Sequence, residues 1–242
     1  MHTASTAAGA VVAGANMDLP MVLLMYKICF QGRYADSDLF PGMESAIEDG
    51  VDILSISMGG GNAPYYEDVI ARGTSAAMKR AIFVACSAGN MGPRAYTVQN
   101  TAPWVATVGA RSIDQAFPVK IMLGNGKSFI GSSLSNALGI GAGHINPSLA
   151  ADPGLIYDAN GSDYTNFLFS LNYTIPDEVI CAGTPANLNY PSFSVVFKHN
   201  NCIQEVKRTL TNEGATLPQK YTFKNFNPRS DWVAITVHPQ NL

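Results

Sequence analysis

Apolar and polar positions change their period several times between residue 1 and about residue 130, and each change marks an element. "VLLMYKICF" (22–30) is apolar almost without a break, which predicts a strand buried on both faces. "SDLFPGMESAIEDG" (37–50) spaces its apolar residues at helical intervals, offers Ser37 and Asp38 as caps and stops at Gly50. "VDILSISMGG" (51–60) is a β-branched strand running into glycines; "YYEDVIARGTSAAMKR" (65–80) is a second helix and "AIFVACSAGN" (81–90) a second strand. The alanine-rich "HTASTAAGAVVAG" near the start suits a close-packed helix. Strand and helix in alternation predict an α/β fold, a parallel sheet with helical crossovers. After about residue 184 the pattern shortens. "SFSVVF", "EVKRTLTNEG", "KYTFKNF" and "WVAITVHP", separated by turn residues, predict a small antiparallel β-sandwich.

Composition narrows what such a chain does. Of its 242 residues 47% are hydrophobic and 14% charged, so a buried core is expected and disorder is not. The net charge is −3 and the 15 Lys and Arg are scattered, which argues against nucleic acid or an anionic membrane as partner. "LPMVLLMYKICF" (19–30) is too short to span a bilayer and is broken by Lys27. The N-terminal residues lack the basic and apolar regions of a signal peptide. Cys29, Cys86, Cys181 and Cys202 show no Cys-x-x-Cys spacing; a Cys181–Cys202 disulfide stays open beside four separate thiols. His2, His144, His199 and His238 are too dispersed for a metal site, so no metal and no cofactor is expected.

Candidate chemistry concentrates at two strand ends. "ILSISMGGG" (53–61) and "FVACSAGNMGP" (83–93) each leave a strand on small residues, and ligands of open α/β sheets bind outside the carboxyl ends of strands. On these residues alone Asn90 reads as a turn residue. Taken together, "DGVDILSISMGG", "SAGNMGP", "TAPWVATVGA", "HTASTAAG", "GAGHINPSLAADPGLIYD" and "LNYPSF" resemble the plant-type subtilisin-like serine proteases (subtilases), in that family's order and over most of the chain. The resemblance implies a partial subtilisin-like sheet followed by a fibronectin-III-like sandwich, an extended peptide or protein substrate, and an extracellular location. It implies that Asn90 is the oxyanion-hole asparagine, whose amide donates to the developing tetrahedral oxyanion. It further implies that Ser57, Met58 and Gly59, with Ser87, Ala88 and Gly89, flank the peptide and pair with it as added strands.

The same resemblance bears on activity. The family's triad runs Asp, His, Ser along the chain. His2 in "MHTAST" matches the second histidine of the family's H-G-T-H block, a structural neighbour of the catalytic one. "LGNGKSFIGSSL" (123–134) runs almost directly into "SNALGIGAGHINP", which implies an internal deletion near 134–138 where the nucleophile motif belongs. All three triad positions are therefore expected to be missing and the chain to be inactive. Gly73-Thr74-Ser75 imitates a nucleophile turn but lies in a crossover helix, and a new triad of Ser75, His144 and Asp52 is not favoured. "SMGGGN" (57–62) lacks the lysine of a phosphate loop, and "LGNGKSF" (123–129) reads as a hairpin. Asp36, Asp38, Glu44, Glu48 and Asp49 form a solvated acidic helix face. Asn160 and Asn172 head glycosylation sequons. The domain reading is a truncated catalytic core over 1–160, a linker or helical segment over 161–183 and the sandwich over 184–242. A core shortened in this way is expected to leave apolar strand faces open and to be poorly stable alone. Two other readings stand beside the inactive protease: a non-catalytic peptide- or protein-binding module, and a partial gene product.

Overall fold

The structure, a computed structural model, describes residues 22–31, 33–59, 63–92, 94–110, 119–122, 128–131, 143–173, 185–193, 195, 203–214, 220–222 and 235–238. The chain forms two compact units, Met1–Ala142 and Gly143–Leu242.

In the first unit α1 (Asp36–Glu48) leads into β1 (Ile53–Ile56), α2 (Val69–Lys79), β2 (Phe83–Ser87) and β3 (Ala106–Val108). The three strands make one parallel sheet in the order β1-β2-β3, with Ile53 opposite Phe83 and Ser87 opposite Val108. The helices buried by this arrangement are those whose apolar spacing predicted them. Leu39, Met43 and Ala46 of α1 and Ile70, Ala71, Thr74 and Ala77 of α2 are buried. These positions recur at intervals of three and four, one stripe per helix. α1 starts two or three residues earlier than Ser37 and Asp38 suggest: Ala35 is its N-cap, without a side-chain bond, and Asp36 and Asp38 instead lie in the first turn, where the helix dipole favours them. Its end falls where the sequence puts it. Gly50 (φ 70°) takes the left-handed conformation that glycine accepts without strain, and the Val51 N–H reaches back to the Ala46 carbonyl.

Among the described residues, helices cover the sheet on one side only. Along β2 the odd-numbered positions are open and Val84 and Cys86 buried, and Ile56 is buried beside them, on the face where α2 packs. On the other face Ile53 is 57% exposed, Phe83 58% and Val108 40%. The continuous apolar run 22–30 is not the additional buried strand it predicts. Residues 22–29 have no regular structure, Val22 is 85% exposed, and the pairing around them is a single bridge between Phe30 and Arg33. An apolar run forms a strand only where an edge supplies hydrogen-bond partners, and this one pairs with none of the described strands. β4 (Val119–Met122) pairs antiparallel with β5 (Ser128–Gly131), as a hairpin over this stretch predicts; Asn125 and Gly126 lie outside the described residues.

The second unit holds α3 (Pro147–Ala150), β6 (Leu155–Ile156), α4 (Gly161–Ser170), a 3-10 turn (Pro185–Asn187) and β7 (Thr211–Asn212). β6 and β7 pair antiparallel, which ties residues 155–156 to 211–212 and places the start of this unit at Gly143, earlier than residue 160. Asn160 caps α4 with a reciprocal box: its Oδ1 accepts from the Ser162 and Asp163 N–H groups, and the Asp163 carboxylate accepts from its own N–H. Of the strands expected for the sandwich, "EVKRTLTNEG" contributes Thr211–Asn212; the described parts of the other three, residues 192–193, 195, 220–222 and 235–238, belong to none of β1 to β7, and the rest of them lies outside the described residues. Side-chain bonds to backbone do much of the holding here. The Arg208 guanidinium donates to the carbonyls of Tyr190 (2.7 Å), Ala186 (2.8 Å), Lys207 (2.7 Å) and Ser192 (3.2 Å), and lies over the Phe193 ring. Asn189 donates to the carbonyls of Asp158 and Thr209 and accepts from the Thr209 N–H.

Candidate functional site at the strand ends

The parallel register brings the tips of β1 and β2 together. β1 ends at Ile56 opposite Cys86, so the chain leaves it through Ser57, Met58 and Gly59 while β2 runs on into Ser87, Ala88 and Gly89 at its side. The Ser87 hydroxyl donates to the Met58 carbonyl at 3.4 Å. Asn90 follows Gly89 on the exposed bend beyond β2, and its side-chain amide has no hydrogen-bond partner among the described residues. Seven of the residues singled out in the sequence thus lie on two adjoining strand ends. The two segments differ in what they leave open. The Ala88 N–H donates to the Val108 carbonyl and the Ala88 carbonyl accepts from the Gln99 N–H, at 2.9 and 3.0 Å. Backbone pairing at Ala88 is complete, which makes 87–89 a wall; β1, like β3, is an edge strand among the described strands of this sheet.

What holds the two tips is a residue the motifs did not single out. Asn100 is 7% exposed and its Nδ2 donates to both the Met58 carbonyl (2.7 Å) and the Ser87 carbonyl (2.8 Å). Its own backbone sits at φ 54°, a left-handed conformation asparagine tolerates better than most residues, and the Thr107 hydroxyl donates to its carbonyl at 2.5 Å. Next to it, the Gln99 side chain lies across both glycines. A Cβ at Gly59 would collide with the Gln99 carboxamide, and one at Gly89, where φ is +86°, would come within 3.0 Å of its Oε1. The positive φ of Gly89 favours glycine there, and at Gly59 the absence of a side chain leaves room for the Gln99 carboxamide. The signal in the sequence was the polar pair Gln99-Asn100 placed just ahead of the apolar "APWVATV"; polarity there reads as loop until the fold shows the carbonyls it serves.

A cavity of about 280 Å3 opens on the other side of Asn100, lined also by Ala63, Tyr65, Asp68, Tyr96, Val98 and Thr101. None of residues 57–59 or 87–90 lines it, so it is separate from the strand-end site. Asp68 is engaged there as the cap of α2, accepting from the Ile70 and Ala71 N–H groups at 2.8 and 3.1 Å.

Gly73-Thr74-Ser75 is accounted for by packing. All three lie inside α2. A Cβ at Gly73 would run into the end of the Met43 side chain, so the glycine lets α1 approach α2. The Thr74 hydroxyl, fully buried, donates to the Ile70 carbonyl at 2.6 Å and accepts from the Trp104 indole N–H at 3.1 Å. Ser75 is half-buried and hydrogen-bonded to no His, Asp or Glu side chain among the described residues. His144 belongs to the other unit. Asn160 and Asn172 are both exposed. Among the described residues no group of His, Cys, Asp and Glu is arranged to hold a metal ion, and no helix is long and apolar enough to cross a membrane. Cys29 is exposed and unpaired and Cys86 buried and unpaired; Cys181 and Cys202 lie outside the described residues.

A parallel sheet with helical crossovers and paired glycine-bearing strand ends defines an α/β protein, with its candidate site at the carboxyl edge of the sheet. Comparison with known proteins specifies it further. The model of the subtilase family, Peptidase_S8, matches residues 1–234. The chain is 41% identical over 190 residues to Subtilisin-like protease SBT1.7 of Arabidopsis thaliana, covering 74% of this chain and 24% of that protein. It is 43% identical over 157 residues to Subtilisin-like protease SBT1.5 (60% of this chain, 20% of the relative) and 46% identical over 146 residues to Subtilisin-like protease SBT4.14 (55% and 20%), both of the same plant. The chain belongs to the subtilase family. It spans about a quarter or less of the length of these relatives.

Proposed function

We propose that this chain carries the peptide-binding strand ends and the oxyanion asparagine of a subtilisin-like serine endopeptidase, and that by itself it binds peptide without cleaving it. The observation behind this reading is the adjacency of Ser57–Gly59 and Ser87–Gly89 in one parallel register, with Asn90 directly beyond. An extended peptide pairs along the tip of β1, the sheet edge, with 87–89 as the wall against which one of its side chains rests. Asn90 presents an uncommitted amide where β2 ends. In an acyl-transfer site such a donor is worth on the order of 10²–10³ in turnover. That gain needs an oxyanion, and forming one needs a nucleophile and a base. This reading takes none of the three triad positions from the 242 residues, and Ser75 lies inside α2 with no His, Asp or Glu side chain hydrogen-bonded to it among the described residues. Loss of nucleophile or base costs about 10⁶ in a related enzyme. The reading also makes the protein extracellular, with Asn160 and Asn172 as glycan acceptors.

The test uses a fluorophosphonate probe, which labels activated serines whatever the substrate preference. The full chain is expected to remain unlabelled while a relative with an intact triad is labelled. Stoichiometric labelling that disappears in Ser75→Ala would overturn the proposal.

A further inference from the structure

We infer that Asn100 is the positioning residue of the strand-end site: its buried amide sets the separation of the β1 and β2 tips and with it the position of the peptide-pairing tip of β1 relative to the 87–89 wall. The inference rests on the peptide-groove reading above and adds the residue that makes the groove a fixed shape. The ladder between the strands is registered only as far as Ile56 and Cys86, so beyond that point the Met58 and Ser87 carbonyls need partners from elsewhere. One NH2 group supplies both, at 2.7 and 2.8 Å, beside the longer Ser87 hydroxyl bond to the Met58 carbonyl at 3.4 Å. An amide is the short neutral side chain with two donors on one atom; a carboxylate offers only acceptors and a hydroxyl a single donor. The amide is itself held in place from behind. Thr107 of β3 anchors the Asn100 carbonyl, and the Gln99 N–H is bonded to Ala88, so the turn bearing the amide is tied to the second tip and to the third strand. Movement of either tip therefore requires breaking a buried bond to Asn100. This places the control of that position in residues 99–107, outside both glycine motifs.

The experiment measures binding of a positional-scanning library of fluorescein-labelled hexapeptides to the full chain by fluorescence anisotropy at pH 5 and pH 8. It compares wild type, Asn100→Gly and Asn100→Asp, with circular dichroism on each. Asn100→Gly keeps a residue that accepts positive φ and removes only the amide; its binding is expected to fall about tenfold at both pH values. Asn100→Asp sets a carboxyl against two carbonyl oxygens, which raises its pKa above the ordinary carboxylate range. At pH 8 the anion pushes the tips apart and binding is lost; toward pH 5 the protonated form donates to one carbonyl and binding recovers several-fold. Asp68, Tyr65 and Tyr96 line the cavity beyond Asn100, so the wild-type values at the two pH values are the baseline for that recovery. Wild-type binding with both variants unchanged would overturn the role of Asn100 and leave the groove reading intact. No binding by folded wild type would overturn the groove reading and this inference with it. Loss of the folded circular dichroism in both variants would also overturn it, since Asn100 would then support the whole unit and not the spacing of the tips.

Discussion

Cys86 sits in the middle of β2, shut off from water, and burial, with a smaller contribution from the negative charge of Asp68, pushes its thiol from 9.0 up to about 11. The folded protein therefore holds this proton more tightly than the unfolded chain. Its contribution to stability is complete below pH 9 and is lost as the pH rises through the interval from 9 to about 11. Urea unfolding of wild type and Cys86→Ala at pH 8 and pH 11 should show the wild-type advantage narrowing at the higher pH; an unchanged difference would mean that the thiol is not held in its neutral form. At this scale the sequence was legible in part. Gly59 and Gly89 stand out as glycines at strand ends, and the fold shows what each accommodates. Asn100 did not stand out, because its function depends on two carbonyls 42 and 13 residues away in the chain.

Elements followed from periodicity wherever a partner element was close in sequence. α1, β1, α2 and β2 lie where their patterns put them, since a strand–helix–strand crossover supplies its own packing surfaces. The run 22–30 shows the opposite case: its apolar content was evident, but strand formation required an edge it does not meet. In the second unit, Arg208 organises the segment around "LNYPSF" by bonding to carbonyls spread over residues 186–207. Lysine carries the same charge but places its donors on one atom and cannot span that set. Arg208→Lys is expected to destabilise this unit by about 1–3 kcal/mol through unsatisfied carbonyls. Thermal unfolding followed by circular dichroism would register it as a lowered midpoint, and a midpoint equal to wild type would show that the carbonyls find other partners.

For the molecule as a whole, the dominant feature is the face of the β1-β2-β3 sheet that the described residues leave open. Parallel sheets are ordinarily covered on both faces, and here Ile53, Phe83 and Val108 line the uncovered one. Leaving such side chains in water forfeits about 25 cal/mol per Å2 of apolar surface. The consequence is measurable as dye binding: the chain should enhance ANS fluorescence, and Ile53→Thr with Phe83→Thr should reduce that enhancement strongly. Threonine keeps β propensity, so each change should alter stability by no more than about 0.5 kcal/mol. Unchanged dye binding would show that the face is covered.

The sequence by itself determined the alternation of strand and helix, the parallel sheet, the glycine-bearing strand ends and the family, because each of these is written in local periodicity or in ordered blocks of residues. It also marked Gly73-Thr74-Ser75 as a helix and not a nucleophile turn. Only the tertiary structure decided that Gly73 serves the approach of Met43, that Thr74 serves Trp104, that Ile53, Phe83 and Val108 are left exposed on one face of the sheet, and that Asn100 joins the two tips. These are contacts between residues far apart in the chain. No local pattern records them, since each depends on where a second segment comes to rest.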